Sequence, residues 1–137
     1  MNRATFGGSA PTIRPGGGVL DESKPLFIAV AEQIEEGILD ATYVEDEPVP
    51  STNELAAFLR INPATAGKGL NRLVDAGVLV KRRGVGMFVA PGAVELLRRR
   101  RREAFTRTYL VPLLREAARL DIPPHELVQM ITKEASR

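Results

Sequence analysis

The sequence predicts a mainly α-helical fold that carries one small β-hairpin, and three observations predict it. Beyond Pro25, apolar residues recur at three- and four-residue steps, the pattern of amphipathic helices. Two of those helices are separated by only Ile61 and Asn62, and the second is polar and basic on its outer side. Two short β-rich runs with basic residues and a glycine-bearing turn then follow. A helix able to enter a groove, followed by a basic hairpin, describes a winged helix-turn-helix domain. A short C-terminal helical dimerisation region is expected after it.

Residues 1–23 hold Gly7, Gly8, Pro11, Pro15 and the run Gly16 to Gly18, and read as a disordered tail. Arg3 and Arg14 there either touch phosphates or belong to a flexible extension. The winged helix-turn-helix is expected over 24–91. Its first helix follows Pro25 and turns Phe27, Val30, Ala31, Ile34 and Ile38 to the core. Tyr43 to Pro50, with two prolines and an acid cluster, is a loop leading into an extended piece around Val49. Ser51, Thr52, Asn53 and Glu54 satisfy the capping-box pattern, so helix two starts near Thr52, buries Leu55, Ala56 and Leu59, and stops near Arg60.

Helix three opens with Asn62 as cap and Pro63 at its first position, and Gly77 ends it. Ala66, Leu70, Leu73 and Val74 form its apolar face, while Thr65, Lys68 and Arg72 form the opposite one. The hairpin runs are Val78 to Arg82 and Met87 to Ala90, joined by Arg83, Gly84, Val85 and Gly86. Strand alternation turns Arg82 away from Lys81 and Arg83.

The region 92–137 carries Leu96, Leu97, Phe105, Tyr109, Leu110, Leu113, Leu114, Ala117 and Leu120, more apolar surface than one isolated helix hides. A partner surface is implied, with Leu97, Phe105, Tyr109, Leu110, Leu113, Leu114, Leu127 and Ile131 as the candidate dimer contacts. Pro112 lacks a backbone donor and should kink or divide the long helix. A break at Asp121 to Pro123 precedes a final helix from Pro124, with Leu127, Val128, Met130 and Ile131 on its buried side. The five arginines Arg98 to Arg102 point in every direction around a helix, either to flanking phosphates or to solvent.

Composition narrows the function. The 137 residues, 44% apolar, suffice for one ordinary domain or a small domain with an extension. No apolar run approaches the roughly 20 residues of a membrane span, and no secretory signal is apparent, so a cytoplasmic, nucleoid-associated protein without membrane contact is expected. The absence of cysteine removes disulfides, thiolate zinc sites and cysteine nucleophiles. His125 stands alone near a helix start, and no metal or phosphate-loop spacing occurs, so neither enzyme activity, metal nor cofactor is expected. Charge is strongly segregated. From Asp21 to Phe58 the acids face one base, Lys24; from Arg60 to Arg83 the bases Arg60, Lys68, Arg72, Lys81, Arg82 and Arg83 face one acid, Asp75. Such a division suits a surface that meets phosphates beside one that repels them.

The candidate DNA contacts are Ser51, Thr52 and Asn53 at the start of helix two, and Asn62, Ala64, Thr65, Lys68 and Arg72 on helix three. Lys81, Arg82, Arg83, Gly84 and Gly86 of the wing complete the set. Thr65 can bond a base edge, a phosphate or its own backbone, and Ala64 can touch a thymine methyl. Asn62 has a sufficient role as a cap. Gly67 and Gly69 each cost roughly 1 kcal/mol inside a helix relative to alanine, which suggests close approach to DNA at Gly67 and close internal packing at Gly69.

The order Pro25-Leu26-Phe27, Gln33-Ile34, Gly37-Ile38, Pro50-Ser51, Glu54-Leu55-Ala56, Asn62-Pro63-Ala64-Thr65, Gly77-Val78-Leu79 and Arg83 to Val89 resembles the DNA-binding domain of GntR-family transcriptional regulators. The resemblance covers about half the chain, and its NPAT and GVGMFV segments are similar to the short YtrA-type branch. It implies a bacterial, homodimeric repressor with the recognition helix in the major groove and the wing in the minor groove of an inverted repeat. It also implies that the C-terminal helices dimerise, and that an effector small molecule, where one acts, uses a groove at the dimer interface. Asn53, Pro63 and Gly67 stand where many members have arginine, so base reading shifts to other residues. Two further readings stand beside this one: a winged-helix protein-interaction module and a non-specific architectural DNA binder.

Overall fold

The computed structural model describes Leu20 and residues 23–137, so the expected tail with Arg3 and Arg14 lies, apart from Leu20 and Ser23, outside the described residues. Leu20 packs against the hydrophobic core. The described elements are α1 (Leu26–Leu39), α2 (Thr52–Leu59), α3 (Pro63–Asp75), β1 (Leu79–Arg82), β2 (Gly86–Val89), α4 (Ala93–Phe105), α5 (Val111–Arg119) and α6 (Pro124–Ala135). The chain divides into two compact units, one ending at Arg98 and the other spanning Arg99–Arg137.

In the first unit, α1, α2, α3 and the hairpin enclose a core whose fully buried side chains include Ile34, Ile38, Leu55, Leu70, Leu73, Val49, Val78 and Val89. The apolar periodicity of each helix accounts for these positions. The capping box of α2 forms in both directions: Ser51 Oγ accepts the Glu54 N–H at 3.1 Å, and Glu54 Oε1 accepts the Ser51 N–H at 2.9 Å. Helix α2 stops because Arg60 adopts a left-handed conformation, φ 58°, and the Ile61 N–H closes on the Ala56 carbonyl at 3.0 Å. A non-glycine residue there costs about 1 kcal/mol, yet it turns the chain within three residues into α3. Gly77, φ 82°, ends α3 in the same way, with the Val78 N–H donating to the Leu73 carbonyl at 2.9 Å.

Strands β1 and β2 pair antiparallel, with Leu79 opposite Val89 and Arg82 opposite Gly86. The loop before α2 covers the outer edge of β2: Asp46 N–H donates to the Val89 carbonyl, Val89 N–H to Glu47, and Val49 N–H to Met87. The extended piece expected near Val49 is thus a short third partner in the wing. Glu45 reaches further and accepts the N–H groups of Gly92 at 2.9 Å and Val94 at 3.1 Å, capping α4 from a distant part of the chain. Those bonds hold its carboxyl below the usual carboxylate range.

The first compact unit continues to Arg98, beyond the boundary after residue 91 that the sequence suggests. Leu97, assigned from sequence to the dimer surface, is only 3% exposed and fills the winged-helix core with Ala93. The reason is that the first turns of α4 still pack on the hairpin's parent core, so their apolar residues serve it.

In the second unit the helix after Phe105 widens into a π-helical stretch, Thr106–Leu110, and the Val111 N–H donates to the Thr106 carbonyl. Pro112 has no N–H to give the carbonyl four residues back, Thr108, and the wider turn comes just before it. The expected division thus takes the form of a π segment between α4 and α5. Asp121, φ 58°, and the bond from the Ile122 N–H to the Ala117 carbonyl end α5. Among the described residues of this unit only Ala117 and Leu127 are buried. Leu127 therefore also leaves the surface set. Val128, Met130 and Ile131, expected on a buried side, are exposed in the single chain, as are Phe105, Tyr109, Leu113 and Leu114.

Candidate nucleic-acid interface

Helix α3 owes its position to a close contact with α1. A Cβ built on Gly69 would lie 2.8 Å from Val30 Cγ1 and 2.9 Å from the Phe27 carbonyl oxygen, so only glycine lets the two helices approach this far. The buried face of α3 holds Ala66, Leu70 and Leu73, which leaves Ala64, Lys68 and Arg72 exposed on the outside and Thr65 half-buried beside them. Asn62 Oδ1 accepts the Ala64 N–H at 2.7 Å, so this side chain is engaged as the helix cap. At Gly67 an added Cβ would meet Thr52 Cγ2 at 3.5 Å, an ordinary contact, so internal packing does not demand glycine there.

The other side of the site is the wing. Its turn closes with the Val85 N–H on the Arg82 carbonyl at 2.9 Å, and Gly84 takes φ 74° at the third position, as a type II turn requires. Lys81 and Arg83 are exposed, and Val85 stands at the tip, 68% exposed. Arg82 stacks on the opposite strand, with its Cζ 4.1 Å from the centre of the Phe88 ring. Register explains the pair: Phe88 is opposite Val80, so Arg82 is its diagonal neighbour on one face. Arg82 therefore has an intrachain partner.

The structure brings the sequence candidates together in two grooves. Ser51, the cap of α2, and Thr52 line one of them together with Lys81, Arg82, Arg83, Gly84, Val85, Gly86 and Met87 of the wing. Ala64, Thr65 and Lys68 share the second groove with Leu26 and Phe27 of α1. Asn53 and Arg72 are exposed but line neither groove. The sequence reading overlooked Phe27, placed in the core by its periodicity, and Phe88; no periodic signal distinguishes a ring under a cation from one in a core. Among the described residues no group of three or more metal-ligand side chains converges, and no helix is long and apolar enough to cross a membrane.

Two helices joined at a tight turn, the second open on its polar and basic face, and a basic hairpin beside them define a winged helix-turn-helix DNA-binding domain. Over residues 28–89 the chain matches the family described as bacterial regulatory proteins, gntR family. It is 26% identical over 111 residues to YhcF of Bacillus subtilis (strain 168), an uncharacterized HTH-type transcriptional regulator, covering 80% of this chain and 88% of that protein. It is 35% identical over 66 residues to the histidine utilization repressor of Klebsiella aerogenes, a match that spans 48% of this chain but 27% of the repressor. A GntR-family transcriptional regulator from Bacteroides thetaiotaomicron has the same fold, with a TM-score of 0.67 and 28% identity over 82% of this chain and 98% of that one. The winged-helix segment of this chain is thus similar to the DNA-binding part of gntR-family bacterial regulatory proteins.

Proposed function

We propose that the protein is a sequence-specific, homodimeric repressor of the short YtrA-type branch, acting on an inverted-repeat operator in the cytoplasm. The observation that carries the reading is the exposed polar and basic face of α3, set beside a basic, glycine-turned wing. In this reading Ala64, Thr65, Lys68 and Arg72 meet base edges and phosphates of the major groove, and Lys81 and Arg83 reach the minor groove. Ser51, Thr52 and Asn53 meet the adjoining backbone through the start of α2. The small residue Gly67 admits the DNA backbone close to the helix.

Dimerisation is supported by the exposed apolar residues Phe105, Tyr109, Leu110, Leu113, Leu114 and Ile131 of the second unit. A unit that buries so little of itself gains from covering such side chains, since full burial of one is worth about 1.5–3 kcal/mol. Two copies would present two recognition helices to two half-sites. An effector, where one acts, would lie in a groove between the copies.

Selection of binding sequences from a randomised duplex pool near physiological salt tests the reading. Recovery of an inverted repeat with half-sites about one helical turn apart, together with a dimer by sedimentation, is the expected result. Retention without a motif would instead mark an architectural binder. A failure to retain DNA would reject the regulatory role in favour of a protein-interaction module.

A further inference from the structure

The face of α3 opposite the core is completed by a residue from outside the helix-turn-helix. The Lys68 ammonium lies 4.1 Å above the centre of the Phe27 ring. Phe27 stands near the start of α1 and is only partly buried, and with Leu26 it lines the groove that holds Ala64, Thr65 and Lys68. The ring is there because Gly69 lets α1 close on α3, with the Phe27 carbonyl and Val30 occupying the space a Cβ would need.

We propose that Phe27 is a positioning residue for DNA recognition, its ring holding the Lys68 ammonium in place beside Ala64 and Thr65 for contact with the duplex. This rests on the regulatory reading above. A lysine has a long, flexible stem, and fixing it on DNA costs side-chain freedom. The negative face of an aromatic ring attracts the cation without taking a hydrogen-bond donor, so the three ammonium N–H groups stay available to phosphate or base oxygens. Restricting the side chain before binding lowers the ordering cost of the complex. Arg82 on Phe88 is a parallel case in the wing, but there the cation lies on the strand face turned away from Lys81.

The test is a double-mutant cycle on the operator recovered by selection, with Phe27→Leu, Lys68→Met and the pair. An exposed cation–π contact corresponds to roughly two- to fivefold in affinity, so Phe27→Leu should weaken binding by that factor in the wild-type background and by nothing once Lys68 is methionine. Phe27→Tyr should retain wild-type affinity. In the free protein the Lys68 ε-methylene protons should resonate upfield and lose that shift in Phe27→Leu, a readout that needs no DNA. An equal loss in both backgrounds means a packing role and overturns the proposal, as does an absent ring-current shift or unchanged affinity in Phe27→Leu. Wild-type protein that binds no duplex overturns the regulatory reading itself and this role with it, an outcome distinct from the others.

Discussion

Replacing Gly69 by alanine adds one methyl group to α3 at the point where α1 crosses it, and Gly67→Ala adds the same group two residues earlier, beside Thr52 of α2. Both substitutions remove a helix-interior glycine, which by itself stabilises by about 1 kcal/mol. At Gly67 nothing offsets that gain, because the nearest neighbour is Thr52 Cγ2 at 3.5 Å. At Gly69 the methyl would stand 2.9 Å from a backbone carbonyl oxygen and 2.8 Å from Val30, and a carbonyl in a packed helix cannot swing aside. The helices must separate, an overpacking cost of about 1–3 kcal/mol or slightly more. Gly69→Ala is therefore expected to be net destabilising by up to about 2 kcal/mol, and Gly67→Ala stabilising by about 1 kcal/mol. Urea titration followed by circular dichroism reads both as shifts of midpoint in opposite directions at constant slope. Equal midpoints for the two variants would refute the close-packing account. On DNA, Gly67→Ala is expected to weaken operator binding through the methyl alone; unchanged affinity with only a higher midpoint would reject close backbone approach at Gly67.

Removing two wing cations together, Lys81→Ser with Arg83→Ser, should reduce the slope of log affinity against log salt by about two, and an unchanged slope would remove the wing from the phosphate contacts. Glu45→Gln should melt lower than wild type at neutral pH. Because the folded carboxyl titrates below its ordinary range, that contribution is present above the unfolded pKa and is lost as pH falls through the folded one. The two melting temperatures should therefore converge in acid. Burial and, secondarily, Asp40 push the Tyr43 hydroxyl well above its ordinary value of 10.0. Keeping it neutral contributes stability that is complete below that value and declines as pH rises past it, since only the unfolded chain then ionises. Tyr43→Phe should show a shallower alkaline decline in midpoint than wild type. Leu113→Glu with Leu114→Glu should yield monomers by sedimentation while leaving the first unit folded; an unaltered association state would place the dimer contacts elsewhere.

Much of the winged domain was legible in the chain. Helix periodicity, the Ser51–Glu54 box, the Asn62–Pro63 start and the glycines around the wing are local signals, because each acts over a few residues through backbone geometry or a near hydrogen bond. Three things were not legible. Arg60 ends α2 in a conformation usually left to glycine, which composition does not announce. Leu97 has the same spacing as the exposed apolar residues after it, yet it serves the core. Phe27 and Phe88 look like ordinary apolar positions, and their contact with Lys68 and Arg82 depends on which helix or strand lies across from them.

The sequence by itself determined which segments are helix and which are strand, where most of them start and stop, and which cations lie on α3 and the wing. Those features depend on neighbours within a turn or a hairpin, whose distances the covalent chain sets. Tertiary structure decided the remainder. Glu45 caps a helix forty-seven residues away at Gly92, the loop before α2 covers the edge of β2, and Gly69 brings an aromatic ring beneath Lys68. Each joins groups distant along the chain, and burial of the shared core, rather than any local preference, holds them together.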